Sequence, residues 1–235
     1  MTVKNPKIKF VVSVNQDIKN YVEFNKYSDD LGFLKMFLPK KLFYVLKSNF
    51  SERKKTEIIT EYVNDKFDLC KNEINKNVKN IDKRWKFIEK KYFKLICKIF
   101  KNHSWPKGKY IGFASIFEMY PKNIKEKTFY FSGLKEDLNF NIATIAHEML
   151  HFIFFDYIKA KYGINEGTEL KNKNPKYVWN VSEVFNLVIE TWKPYQKILK
   201  TNGKPYYFTH SKMLPKMKKL WKEKEDIDYL LDHYF

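Results

Sequence analysis

The sequence predicts an α+β fold, mostly helical with a small β-sheet, and three observations carry that expectation. Apolar residues recur at helical spacing over residues 51–100, 142–157 and 178–192. Short runs rich in aromatic and β-branched residues, at 9–14, 110–119 and 128–132, have the composition of strands. Between them the turn residues of SWPKG, at 104–108, mark where the chain changes character. The expected organisation is a mainly helical N-terminal region, 1–104, packed on the core, and a region 105–235 that holds the chemistry, together one compact unit.

In order, residues 9–14 are expected as the first strand. The segment GFLKMFLPKKLFYVL, at 32–46 and broken at Pro39, is too apolar to stay exposed, so it is expected to pack on the core. After Ser51 the residues Ile58, Ile59, Tyr62, Val63, Phe67 and Leu69 read as one apolar face. Trp85, Ile88, Phe93, Ile96 and Phe100 form the apolar side of a second amphipathic stretch, opposite Lys-rich positions. One face packed on the core is the expectation, with a basic helix addressed to nucleic acid or a membrane surface as the alternative. YIGFASIFEM and TFYFS read as two strands joined by a loop containing PKNIKEK. A strand placed just before the next helix offers an edge to which an extended peptide can pair.

Composition narrows the function classes. The formal net charge of +18 ordinarily points to an anionic partner. Only Arg53 and Arg84 are arginines among 45 basic residues, however, and phosphate-reading sites favour the guanidinium fork. A solvated, Lys-rich surface is therefore expected, with nucleic acid not favoured as a partner. Cys70 and Cys97, the only cysteines, make neither a disulfide framework nor a cysteine zinc knot. No stretch approaches the roughly 20 apolar residues of a membrane span, and FVVSV near the N-terminus is too short for a signal core. The expectation is a soluble, cytoplasmic protein with no membrane partner.

The chemistry centres on IATIAHEMLHFIFFDY, residues 142–157. Four residues apart on a helix, His147 and His151 stack on one face and aim at one point, where they can hold a metal ion. Glu148 projects beside that point and can take a proton from water. The apolar residues around the cluster bury the helix on nearly every side, and two imidazoles and a carboxylate so buried need partners that a bound cation supplies.

A catalytic zinc site takes three protein ligands. The next histidine, His210, is distant in sequence, so a carboxylate is the candidate. Gly163 is expected to end the first helix, and a polar loop follows to Pro175. A second helix from about Val178 to Trp192 then turns Val181, Val184, Phe185, Val188 and Trp192 inward, with Glu183, Asn186 and Glu190 along one stripe. Glu183 is the expected third ligand; Glu190, Glu166 and Glu169 are the other acids within reach. Asn186 or Asp156 is expected to orient a ligand.

AHEMLHFIFFDY, followed 32 positions after His151 by Glu183 in WNVSEVFNLVIE, resembles the two-helix core of the zincin metallopeptidases, in the glutamate-ligand branch called gluzincins. TFYFSG is similar to that fold's strand before the active-site helix. The resemblance spans roughly residues 108–192. It implies a zincin-like helix pair in which His147, His151 and Glu183 bind Zn2+ and Glu148 is the general base. It also implies a peptide or protein substrate, hydrolysed by zinc-activated water. Where the thermolysin-type pattern places an Asp four residues after the ligand Glu, this chain has Leu187, and the aminopeptidase spacing puts the ligand at Leu170, so neither subgroup fits. For the oxyanion, KPYYFTHSKML supplies His210, Tyr206 and Tyr207 as candidate donors. The rival readings are a zincin-like module that binds metal or a protein without cleaving, and a basic nucleic-acid-binding protein.

Overall fold

The computed structural model describes residues 5–26, 37–201 and 212–235. It is 62% helix with a four-stranded sheet holding 9% of the residues, which makes the α+β, mainly helical class plain. Two compact units emerge, each assembled from separated stretches of chain: residues 8–83 with 109–141, and residues 84–108 with 142–235 and the N-terminal tail up to Lys7. Among the described residues no helix is long and apolar enough to cross a membrane.

The first unit holds the sheet. Strands β1 (Ile8–Val12), β2 (Tyr110–Ser115), β3 (Lys122–Asn123) and β4 (Thr128–Ser132) lie in the order β1-β2-β4-β3. The first three in that order run parallel and the short edge strand β3 is antiparallel to β4. Gly112 pairs with Phe10 on one side and Phe129 on the other. Their rings lean across it so closely that a Cβ there would sit 2.9 Å from Phe129, so only glycine fits between the two.

The strand expected over 110–119 stops at Ser115 because its continuation is taken by helix α1 (Val14–Lys26). The Asp17 carboxylate accepts from the Ser115 hydroxyl at 2.5 Å and from the Ile116 N–H at 2.8 Å, while Asn20 donates to the Met119 carbonyl at 3.2 Å. Pro39 starts helix α2 (Lys40–Lys47), whose Leu42, Phe43 and Val45 are buried while Tyr44 is 69% exposed; residues 32–36 of this apolar segment lie outside the described residues.

The two helical stretches expected between residues 51 and 100 are one 48-residue helix, α3 (Glu52–Ile99). Ser51 caps it, its hydroxyl accepting from the Lys54 N–H at 3.3 Å. Ile59, Val63, Phe67, Trp85, Ile88, Phe93 and Ile96 are buried, but Leu69 is 83% exposed. Two residues beyond Phe67, it lies about 200° further round the helix, so its place in the apolar face is corrected.

The second unit is helical: the last part of α3, α4 (Leu138–Tyr162) from Ile142 onward, α5 (Tyr177–Glu190), α6 (Lys193–Leu199), α7 (Met213–Lys224) and α8 (Ile227–Leu231). Residues 142–155 of α4 are buried without interruption. The helix ends at Gly163, which takes a left-handed φ of 71° while its N–H bonds the Lys159 carbonyl at 3.1 Å. Phe185 of α5 locks against Phe154 of α4, ring centroids 5.1 Å apart, and against Phe100 at 5.7 Å. The C-terminal turn is tied down by charge: Lys101 reaches Asp226 and Asp228, and Lys161 reaches Asp228 and Asp232.

Candidate metal centre

Helices α4 and α5 bring three ligand atoms to one point. His147 and His151, 3% and 0% exposed, sit one turn apart on α4 with their Nε2 atoms 3.1 Å from each other. Glu183 enters from α5 and divides its carboxylate between them, Oε2 lying 3.2 Å from His147 Nε2 and Oε1 lying 3.2 Å from His151 Nε2. Among the described residues these three form the one group of His, Cys, Asp and Glu side chains whose geometry suits a metal ion.

Hydrogen bonds on the far side of each ring fix what faces inward. His147 Nδ1 is 2.7 Å from Glu190 Oε1, and an ionised carboxylate only accepts, so Nδ1 carries the proton. His151 Nδ1 is 3.3 Å from Ser182 Oγ. The Ser182 hydroxyl spends its own hydrogen on the Trp179 carbonyl at 2.9 Å, so toward His151 it accepts. Both Nε2 atoms thereby face each other and a carboxylate, a buried cluster that needs a positive charge, supplied either by a proton on His147 or by a bound cation. Ligands at 2.0–2.1 Å from a tetrahedral zinc stand about 3.3–3.4 Å apart, close to the 3.1 Å between the two Nε2 atoms and the 3.2 Å from each to its nearer Glu183 oxygen, so the donor set fits zinc in chemistry.

The field of the site acts in the same direction. Burial pushes the His147 imidazole down, but the charges and hydrogen bonds of Glu190 and Glu183 outweigh it and hold the group well above the usual histidine range. The surroundings thus favour a positive charge where Nε2 points. The backbone beneath is clamped as well: Asn186 Nδ2 donates to the His147 carbonyl at 3.1 Å, and the fully buried Tyr92 hydroxyl donates to the Ala146 carbonyl at 2.8 Å. Burial, and after it the charge of Glu190, raises the Tyr92 hydroxyl well above its ordinary range, so it stays protonated as a donor.

Of the residues singled out in the sequence, His147, His151 and Glu183 come together. Glu148, next to His147 on α4, is buried, 4% exposed. Asn186 orients the histidine helix through its backbone, whereas Asp156 pairs with His103 Nε2 at 2.8 Å. Glu190 takes the outer nitrogen of His147 and leaves the ligand position to Glu183. Glu166 and Glu169 stay outside the group. His210, Tyr206 and Tyr207 lie outside the described residues. Sequence reasoning missed the roles of Ser182 and Tyr92. Ser182 directly precedes Glu183, and that adjacency was the one available signal. No protein-family profile matches the chain, nor does any curated protein or solved structure.

Proposed function

We propose that the protein is a zinc-dependent peptidase. The observation that carries this reading is the inward-facing set of His147 Nε2, His151 Nε2 and the Glu183 carboxylate, 3.1–3.2 Å apart, with a buried glutamate, Glu148, directly beside the first ligand. A zinc ion held by these atoms supplies Lewis acidity, acidifying water and polarising a carbonyl. The protein's own part is positional and protolytic. Glu190 and Ser182 keep both imidazoles in the tautomer that offers Nε2, and Tyr92 and Asn186 hold the α4 backbone so that the rings do not drift. Glu148 takes the proton of the attacking water and returns it to the leaving amine. A metal centre with a purely structural role has no use for such a base. The choice of a peptide bond as substrate rests on the resemblance of residues 108–192 to the gluzincin helix pair. A cytoplasmic setting goes with this reading, since Cys70 and Cys97 are both free thiols.

Metal analysis joined to a peptidase assay tests the proposal. The wild type is expected to hold about one zinc per chain, His147→Ala and Glu183→Ala to lose it, and Glu148→Gln to keep it while turnover falls about 10²- to 10⁴-fold. A chain that takes up no zinc when offered it refutes the site. A Glu148→Gln variant as active as wild type refutes the mechanism.

A further inference from the structure

The outer face of the last part of α3 has a composition that the packing of the helix does not explain. Arg84, Phe87, Lys90, Lys91, Lys94 and Lys98 fall, at 100° per residue, within an arc of about 120° with Phe87 at its midline, over about 21 Å of helix. The opposite arc, with Trp85, Ile88, Tyr92 and Ile96, is the buried one. The single acid in this stretch, Glu89, comes two residues after Phe87 and so points about 160° away.

Two features of this face point together to an anionic partner. Its five cations crowd into one arc that contains no acid and form no ion pair among the described residues. In the middle of the charge stands a phenylalanine that is 69% exposed, with the Arg84 guanidinium 5.7 Å from its ring centroid.

We propose that this face docks the protein on an anionic lipid surface, with Phe87 entering the headgroup layer and the five cations lying on the negative charge around it. Charge complementarity argues for an anionic partner, and the residue types argue for lipid. Four of the five cations are lysines, compact point charges that need no fixed geometry in the acceptor; a fluid layer of headgroups meets that condition, and the guanidinium forks that phosphate-reading sites favour are scarce here. An isolated aromatic ring among lysines gains from a hydrocarbon boundary. This is attachment from one side, and among the described residues no helix is long and apolar enough to cross the layer.

The test is co-sedimentation of the whole protein with vesicles of phosphatidylcholine alone or with phosphatidylserine added. Binding is expected only with the anionic lipid, and is expected to fall steeply between about 0.1 M and 0.5 M salt. Lys91→Glu with Lys94→Glu should weaken it more than tenfold, and Phe87→Ser several-fold. The equal charge change made elsewhere, Lys159→Glu with Lys171→Glu, should leave most of the binding intact. Circular dichroism and zinc content confirm that each variant is folded. Absence of binding to the anionic vesicles, equal loss in the control pair, unchanged binding of either face variant, or preference for a nucleic acid over the vesicles each overturns the proposal.

Discussion

Two carboxylates hold His147, and each does a different job. Glu183 shares the inward nitrogen, while Glu190 accepts from the outward one at 2.7 Å. Replacing Glu190 with Gln keeps an acceptor but removes its charge, and zinc affinity is expected to fall about 10- to 100-fold, measured by competition with a chelator. Unchanged affinity contradicts the orienting role. The pairing of His147 with His151 was legible in the sequence because its geometry is set within about one helical turn. Glu183 was expected beside them, but the part of Glu190 was not legible, since periodicity places both acids on one stripe and only the docking of α5 on α4 brings Glu190 to the outer nitrogen of His147. Asp17 makes a second prediction. Burial raises its carboxyl from 3.8 to about 6, against the opposing hydrogen bonds from Ser115, Ile116 and Asn20. A folded value above the unfolded one means that both states hold the proton below pH 3.8, and that stability drains away as pH rises through 6. Asp17→Asn should therefore gain on the wild type by about 2 kcal/mol between pH 4 and pH 7 in urea titrations. A gap that narrows over that range contradicts this sign.

Helix α4 shows how an element is delimited by residues outside its apolar pattern. The Asp137 carboxylate accepts from the Asn139 and Phe140 N–H groups at 2.9 and 3.1 Å and so starts it, and Gly163 ends it. A Cβ at Gly163 would meet nothing within 4 Å, so Gly163→Ala costs only the left-handed conformation, about 1–2 kcal/mol. Thermal unfolding is expected to shift down by several degrees, and a neutral substitution would mean that the last turn reorganises freely. The glycine stop and the apolar run were readable because both signals are local. The end of β2 was not: five β-branched and aromatic residues favour a strand, yet Asp17, almost a hundred positions earlier, captures the next backbone N–H. The single helix through residues 52–99 was likewise hidden, because its two apolar faces read as separate stretches when only spacing is available.

For the molecule as a whole, a metal that binds the folded chain alone adds to its stability by mass action. Zinc at about 100 times its dissociation constant contributes about 2.7 kcal/mol, so a chelator should lower the melting temperature of the wild type and leave His147→Ala unmoved. Equal responses would place the zinc elsewhere. Composition conveyed the helical class because amphipathic periodicity survives in any tertiary setting. It could not convey strand order, which depends on partners far apart: β1 pairs with β2 in a register that joins Ile8 to Tyr110. That pairing bears on biosynthesis. A ribosome adding about 5–20 residues per second needs roughly 5–20 s to travel from one strand to the other. For that interval the nascent IKFVV segment has no sheet to join, so the growing chain, or a chaperone attending it, must keep this apolar strand from other edges until its partner emerges.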